Sequence, residues 1–267
     1  MQQNQNPYID IHHNVTDRVA MKQHAQLVKT LQSPIVYRLP NTGVPLPDIV
    51  FLANGGLSLP RLPGPLVLLP NMKYEQRKAE LPYLKAMYAK IGIPCMEYPG
   101  LEPFEGQAEL KWFHGGTKAV CGYGFRSTKE TFLELARFFK TLYGKESPEL
   151  LILPLASANY YHLDVAMLEY SDAKCIVHRG AFSERSMRKL IQFLGKEHVT
   201  VLDTEDSFCL NAVRDGPNLL THRLTDPALK PLFERLTGCS VREINTSEFE
   251  RSGGSVRCMT LDVYVPM

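Results

Sequence analysis

The chain has 267 residues, 44% hydrophobic and 22% charged, with a formal net charge of +2; this fits one large soluble domain, and no block of like charge argues for nucleic acid or a membrane surface as partner. Its six cysteines include no C-x-x-C pair or zinc-ligand spacing, and no apolar run approaches the length of a membrane span. The polar start MQQNQNPYIDIHHN lacks the apolar core of a signal peptide, so the expectation is a single domain over residues 1–267, with free thiols, in the reducing cytoplasm.

In chain order, a helix is predicted over 23–31, strands over 48–52 and 65–69, and a helix over 74–90 disturbed by Pro82. A strand over 118–121 precedes an amphipathic helix in which Phe132, Leu135, Ala136 and Phe139 recur at helical spacing, with Ser127 and Glu130 as its capping box and Gly144 as its stop. Strands over 150–155 and 173–177 follow. Met187, Leu190, Ile191 and Leu194 then repeat the helical stripe up to Gly195, and strands close the series over 199–202 and 259–265. Short strands alternating with helices indicate an α/β protein.

Four segments place polar or reactive residues beside apolar runs: PDIVFLANGG (47–56), FEGQAEL (104–110), YHLD (161–164) and GGSVRC (253–258). Cys258 reads either as a buried thiol at a strand start or as a nucleophile exposed by the Gly253–Gly254 turn, with Arg257 nearby to favour the thiolate. His162 and Asp164 are two apart and in a strand would share a face, which gives a proton-relaying pair or a loop pair of no consequence. Glu105 is a loop glutamate or a buried carboxylate that grips a cation. Asn54 is a turn residue or an amide offered to a substrate. Arg77 and Arg126 are solvated cations, or Arg126, just before the helix cap, holds a carboxylate in a bidentate fork.

In this order and spacing the segments resemble the guanidine-modifying superfamily called penteins, which includes arginine deiminases, dimethylarginine hydrolases, arginine dihydrolases and amidinotransferases. PDIVFLANGG resembles the family's Pro-Asp-x-Val-Phe-x-x-Asp/Asn segment, and FEGQAEL its Phe-Glu-Gly-x-Gly-Asp segment, with Ala108 and Glu109 in place of the second glycine and the aspartate. GYGFRS (122–127) resembles a Gly-x-x-x-Arg-Thr strand end, HLD the family's His-x-Asp, and GGSVRC its Gly-Gly-x-x-x-Cys; NPYID with Gln23, and EQRKAE around Arg77, also fit. Each motif alone is weak, but the ordered set spans nearly the whole chain.

The resemblance implies a five-bladed α/β propeller of ββαβ-type units around a central polar pocket. It implies Cys258 as nucleophile, His162 as general acid and base, and Glu105 as the carboxylate serving guanidinium and histidine. Asp164 would bind guanidinium nitrogens, and Arg77 and Arg126 the substrate's α-carboxylate. A guanidinium carbon is a poor electrophile, so carboxylates must fix it in line for a thiolate, and no metal or organic cofactor is required. The implied partner is a small guanidino substrate, with a homo-oligomer left open. The leading function is cysteine-dependent hydrolysis of arginine to ornithine, ammonia and carbon dioxide, or to citrulline; Asn54 points to the dihydrolase-like branch. Hydrolysis of a methylated arginine, amidino transfer, and an inactive binder of guanidino ligands are the alternatives. A cysteine protease would explain a Cys/His pair but not FEGQAEL or the Asn54 segment.

Overall fold

A computed structural model describes residues 7–9, 15–40 and 42–265. Of the NPYID segment, Asn6 and Asp10 lie outside them. The described chain opens with helix α1 (Asp17–Thr30) and from residue 57 onward repeats one unit four times: two antiparallel strands, a helical crossover, and a third strand parallel to the second. The first unit is β1 (Leu57–Ser58), β2 (Val67–Leu68), helices α2 (Glu75–Lys78) and α3 (Leu81–Lys90), and β3 (Cys95–Met96). The second is β4 (Leu110–Phe113), β5 (Lys118–Tyr123), α4 (Lys129–Tyr143) and β6 (Glu149–Pro154). Helix α5 (Leu163–Ala166) leads into the third, β7 (Met167–Glu169), β8 (Cys175–His178), α6 (Glu184–Leu194) and β9 (Val199–Leu202). The fourth is β10 (Val213–Asp215), β11 (Asn218–His222), α7 (Leu229–Thr237) and β12 (Ser240–Ile244), followed by α8 (Ser247–Glu250). A parallel return needs a crossover long enough to span the sheet, and a helix supplies it. Where the resemblance implies five units, four three-stranded sheets form among the described residues.

The apolar cores lie between successive units. Phe132, Leu135 and Phe139 of α4 are fully buried against Leu57, Leu68 and Trp112, joining the first unit to the second. Each such side chain contributes about 1.5–3 kcal/mol of burial. Leu190 and Leu194 of α6 meet Phe113, Val120, Met167 and Val177, joining the second to the third, and Phe233 of α7 meets Leu168 and Ile176, joining the third to the fourth. Two further clusters tie in the chain ends: Leu27 with Leu220, Ile244, Val256 and Cys258, and Tyr37 with Leu69, Met72, Leu261 and Val263.

The structure corrects several sequence expectations. Residues 48–52 form turns instead of a strand: Phe51 N–H donates to Asp48 O at 3.0 Å and Asn54 N–H to Phe51 O at 3.2 Å, so local bonds take the groups a ladder would use. Periodicity cannot tell a short buried run of this kind from a strand. Residues 259–265 likewise form no strand ladder among the described residues; Met259 N–H donates to Ser255 O, and Tyr264 N–H to Ser58 Oγ at 2.8 Å. The helix over 74–90 is two helices with Pro82 in the first turn of the second, where its missing N–H costs nothing. The α4 cap is Thr128 with Thr131, one residue after Ser127, whose hydroxyl instead donates to Gly122 O. Gly144 and Gly195 cap α4 and α6 as expected.

Candidate active site

Five single turns meet at the centre of the molecule. Four run directly into the first strand of a unit: 52–55 before β1, 106–108 before β4, 163–166 before β7 and 208–211 before β10. The fifth, 255–258, follows α8. Hydrogen bonds link them in a closed ring. Ala53 N–H donates to Cys258 O and Gln107 N–H to Gly56 O, both at 2.9 Å, and His162 Nε2 meets Glu105 Oε2 at 2.8 Å. Asn211 Nδ2 donates to Asp164 O at 3.2 Å, and Cys258 N–H donates to Asn211 Oδ1 at 3.1 Å. The close approach of the first two turns requires glycine at position 106: its φ is +64°, and a Cβ there would stand 2.5 Å from Gly56 O.

This ring gathers all seven residues singled out from sequence. Asn54, Arg77, Arg126, His162 and Cys258 line one cavity, whose volume of about 10 Å³ has room for about one water. Glu105 and Asp164 are fully buried directly behind His162 and Cys258. His162 and Asp164 do not share a strand face as expected: His162 is the residue before the one-turn helix α5, so it turns to Glu105 while Asp164 turns to Cys258. Arg257 does not face the thiol either. Its guanidinium is engaged by Glu169 at 3.2 Å and Asp262 at 2.8 Å.

The charges interlock. Glu105 Oε2 accepts from Arg126 Nη1 at 2.9 Å as well as meeting His162, and its Oε1 accepts from Lys73 N–H at 3.3 Å. Burial works against its charge, but Arg126, His162 and Arg77 together hold its carboxyl well below the usual range. Burial lowers the His162 imidazole, and Glu105 only partly restores it. Burial, reinforced by Asp164, pushes the Cys258 thiol up; its Sγ lies 3.5 Å from Asp164 Oδ2 and accepts from Asn211 Nδ2 at 3.1 Å. Asn54 Nδ2 lies 3.4 Å from His162 Nε2. Among the described residues, Asp164 Oδ1 has no hydrogen-bond donor.

The two arginines are held differently. Arg77 forks onto Glu80 through Nε at 2.8 Å and Nη2 at 3.0 Å, and Nη2 also donates to Asp48 O. Arg126 lies between the rings of Tyr74 and Tyr161, 5.0 and 4.9 Å from their centroids. The sequence reading gave no role to Asp48, Phe51, Tyr161 and Ser252 of the wall, and took Gly254 only as part of the turn before Cys258. Asp48 belongs to the Pro-Asp pair of the first segment, and its carboxyl is raised by burial against the pull of Arg77 and Arg126. Tyr161, which opens the YHLD segment, donates its hydroxyl to Gly253 O. Asn211 carries no signal beyond a single amide in an apolar run. Among the described residues, no group of three or more His, Cys, Asp or Glu side chains could hold a metal ion, and no helix is long and apolar enough to cross a membrane.

No family model matches the chain. It is 29% identical over 266 residues to the bifunctional arginine dihydrolase/ornithine cyclodeaminase ArgZ of Synechocystis sp., and 30% identical over 268 residues to AgrE of Nostoc sp., which bears the same description; both matches cover 98% of this chain and 36% of the relative. The chain thus spans about a third of the length of these two relatives. It is 26% identical to the N(G),N(G)-dimethylarginine dimethylaminohydrolase of Mycobacterium tuberculosis, covering 97% of this chain and 80% of that one. The solved N-terminal domain of ArgZ, bound to substrate, superimposes with a TM-score of 0.80 at 27% identity, covering 96% of this chain and 91% of that domain. Along almost its whole length in sequence, and in fold, the chain is homologous to arginine dihydrolases and a dimethylarginine hydrolase, members of the pentein superfamily of guanidine-modifying proteins.

Proposed function

We propose that this chain is a cysteine hydrolase that takes arginine, in two rounds, to ornithine, two ammonia molecules and carbon dioxide. The observation that carries the reading is the joint lining of one cavity by Cys258, His162 and the Asn54 amide, backed by the buried carboxylates of Glu105 and Asp164. An arginine dihydrolase activity in the names of two relatives supports it. A guanidinium seated against Asp164 would satisfy Oδ1 and bring a positive charge to the thiol, offsetting the burial and the carboxylate that hold it protonated. The thiol proton then passes to His162, whose imidazolium Glu105 is placed to stabilise.

The thiolate adds to the guanidino carbon and His162 protonates the departing ammonia, leaving a thiouronium on Cys258. His162 then takes a proton from water, the hydroxide adds to the same carbon, and the C–S bond breaks to give citrulline and the thiol. A second attack at the ureido carbon releases the second ammonia. Water cleaves the resulting thiocarbamate to a carbamate, which loses carbon dioxide to leave ornithine. Asp48 is suited to the substrate ammonium, and Arg126 and Arg77 to its α-carboxylate. The cavity has room for about one water, so its wall has to open to admit arginine.

The chain ends suit a fifth propeller unit: the 255–258 turn closes the ring of turns, and Leu261 and Val263 meet Tyr37 in one cluster. All six cysteines are free, as a reducing cytoplasm would keep them. The relationship to a dimethylarginine hydrolase favours a second reading, hydrolysis of a methylated arginine. Incubation of the pure protein with arginine, methylarginines, agmatine and citrulline, with products identified by mass, separates the two. Ornithine from arginine supports the dihydrolase; an amine and citrulline from a methylarginine, with arginine untouched, supports the second; no product from any of them overturns both.

A further inference from the structure

Four turns of the central ring carry the residues assigned to chemistry above or follow directly on them, while the fourth in chain order, 208–211, has none of them. We infer that this turn supplies a positioning residue: Asn211 fixes the Cys258 nucleophile and stabilises its thiolate. Both ends of the amide are engaged. Oδ1 accepts Cys258 N–H at 3.1 Å, while Nδ2 donates to Cys258 Sγ at 3.1 Å and to Asp164 O at 3.2 Å. Asn211 O accepts Arg257 N–H at 3.2 Å, so the residue grips the chain on both sides of the peptide that enters Cys258. The orientation of the amide follows from this network. Swapping Oδ1 and Nδ2 would set an acceptor against Asp164 O and a donor against Cys258 N–H.

The electrostatics give the clamp its purpose. The charged group nearest the thiol is Asp164, which disfavours the thiolate, as does burial; the cation expected beside it, Arg257, is turned to Glu169 and Asp262. Two hydrogen-bond donors favour the thiolate, the Ser255 backbone and the Nδ2–H of Asn211, and a donor to an ionised partner is stronger than one to a neutral partner. The amide gains strength as the thiol loses its proton, without moving. Asn211 itself is fully buried and absent from the cavity wall, so it acts through Cys258 and does not contact the substrate.

The inference rests on Cys258 being the nucleophile, so its test reads the thiol directly. The rate at which iodoacetamide modifies Cys258 is followed against pH by peptide mass in wild type and in Asn211→Asp, Asn211→Ala and Asn211→Ser. Asn211→Asp keeps the shape and the acceptor for Cys258 N–H but replaces the donor with an acceptor. It should raise the pH of half-maximal reactivity by about one unit or more. Asn211→Ala should follow, and Asn211→Ser, whose hydroxyl can donate, should lie nearest wild type. With arginine, kcat should fall about tenfold to a hundredfold in Asn211→Asp, the range for a hydrogen bond to a charged group, with little change in KM. A reactivity profile of folded Asn211→Asp or Asn211→Ala that superimposes on wild type, or a series in which Asn211→Ser is the most impaired, would overturn the inference. Failure of wild type to consume arginine while the profiles still separate would instead remove the proposed function and leave the clamp standing.

Discussion

Glu105 presents a single oxygen, Oε2, to both His162 Nε2 at 2.8 Å and Arg126 Nη1 at 2.9 Å. The carboxylate can therefore stabilise an imidazolium only while Arg126 competes for the same atom. Glu105→Gln keeps the shape but removes the charge, leaving Arg126 and the protonated His162 facing a neutral amide. We expect kcat for arginine to fall by about a hundredfold or more, the usual loss for a disabled acid–base group, and KM to rise. Steady-state kinetics at pH 7 check this, and a variant within tenfold of wild type would contradict it.

The Asn54 amide lies 3.4 Å from His162 Nε2, in the wall of the cavity. A carboxylate at this position would favour a cationic guanidinium over the neutral ureido group of citrulline, whereas an amide offers a donor and an acceptor to either. Asn54→Asp is expected to release citrulline and cut the ornithine share of product at least tenfold. If the product mix of the variant matches wild type, the amide does not govern the second hydrolysis.

Glu109 stands where the family pattern has an aspartate, fully buried, with its Oε2 accepting Glu105 N–H at 2.8 Å. Burial first, and the neighbouring Glu105 charge second, raise its carboxyl to about 8. A folded value above the unfolded one means that its contribution to stability is complete below about 4.5 and is lost as pH rises through 8. Glu109→Gln mimics the protonated form. Its thermal midpoint should gain on wild type steadily between pH 5 and 8, with activity retained at pH 7. A constant difference across that range would show that Glu109 is ionised in the fold.

A second buried histidine serves the fold. His222 of β11 is paired with Asp206 at 2.8 Å and with Glu250 of α8 at 3.3 Å, tying the fourth unit to the helix that precedes the Cys258 turn. Burial opposes its charge, but the two carboxylates outweigh it and raise it to about 9. Its stabilisation is full below about 6.5 and disappears as pH rises through 9. The advantage of wild type over His222→Gln in thermal unfolding should shrink across that window. An advantage independent of pH would contradict the charged pairing.

The site is more legible in the sequence than the strands are. The ordered segments around Asn54, Glu105, His162 and Cys258 each hold a turn of the central ring, because each pairs a reactive residue with a glycine or an apolar strand start. Apolar runs mark β9 at its true bounds and β2, β5, β6 and β8 within two residues. β1 and β3, two residues each, are too short for any period to register, and Lys111 hides β4, since its burial depends on Glu169 from another unit, 3.0 Å away. The orientation of Arg257 depends on Glu169, 88 residues distant in sequence, together with nearby Asp262, and that of Asp164 on Cys258, 94 residues distant. Local pattern holds no record of such contacts.

The most direct test of covalent hydrolysis through Cys258 is acid quenching of the protein during turnover of guanidino-carbon-labelled arginine, followed by mass analysis of its cysteine peptides. The label is expected on the Cys258 peptide alone, decaying as free arginine is exhausted, and absent from Cys258→Ser, which also forms no ornithine. Ornithine formation at wild-type rate in Cys258→Ser, or label on another cysteine with Cys258 unmodified, would contradict the account.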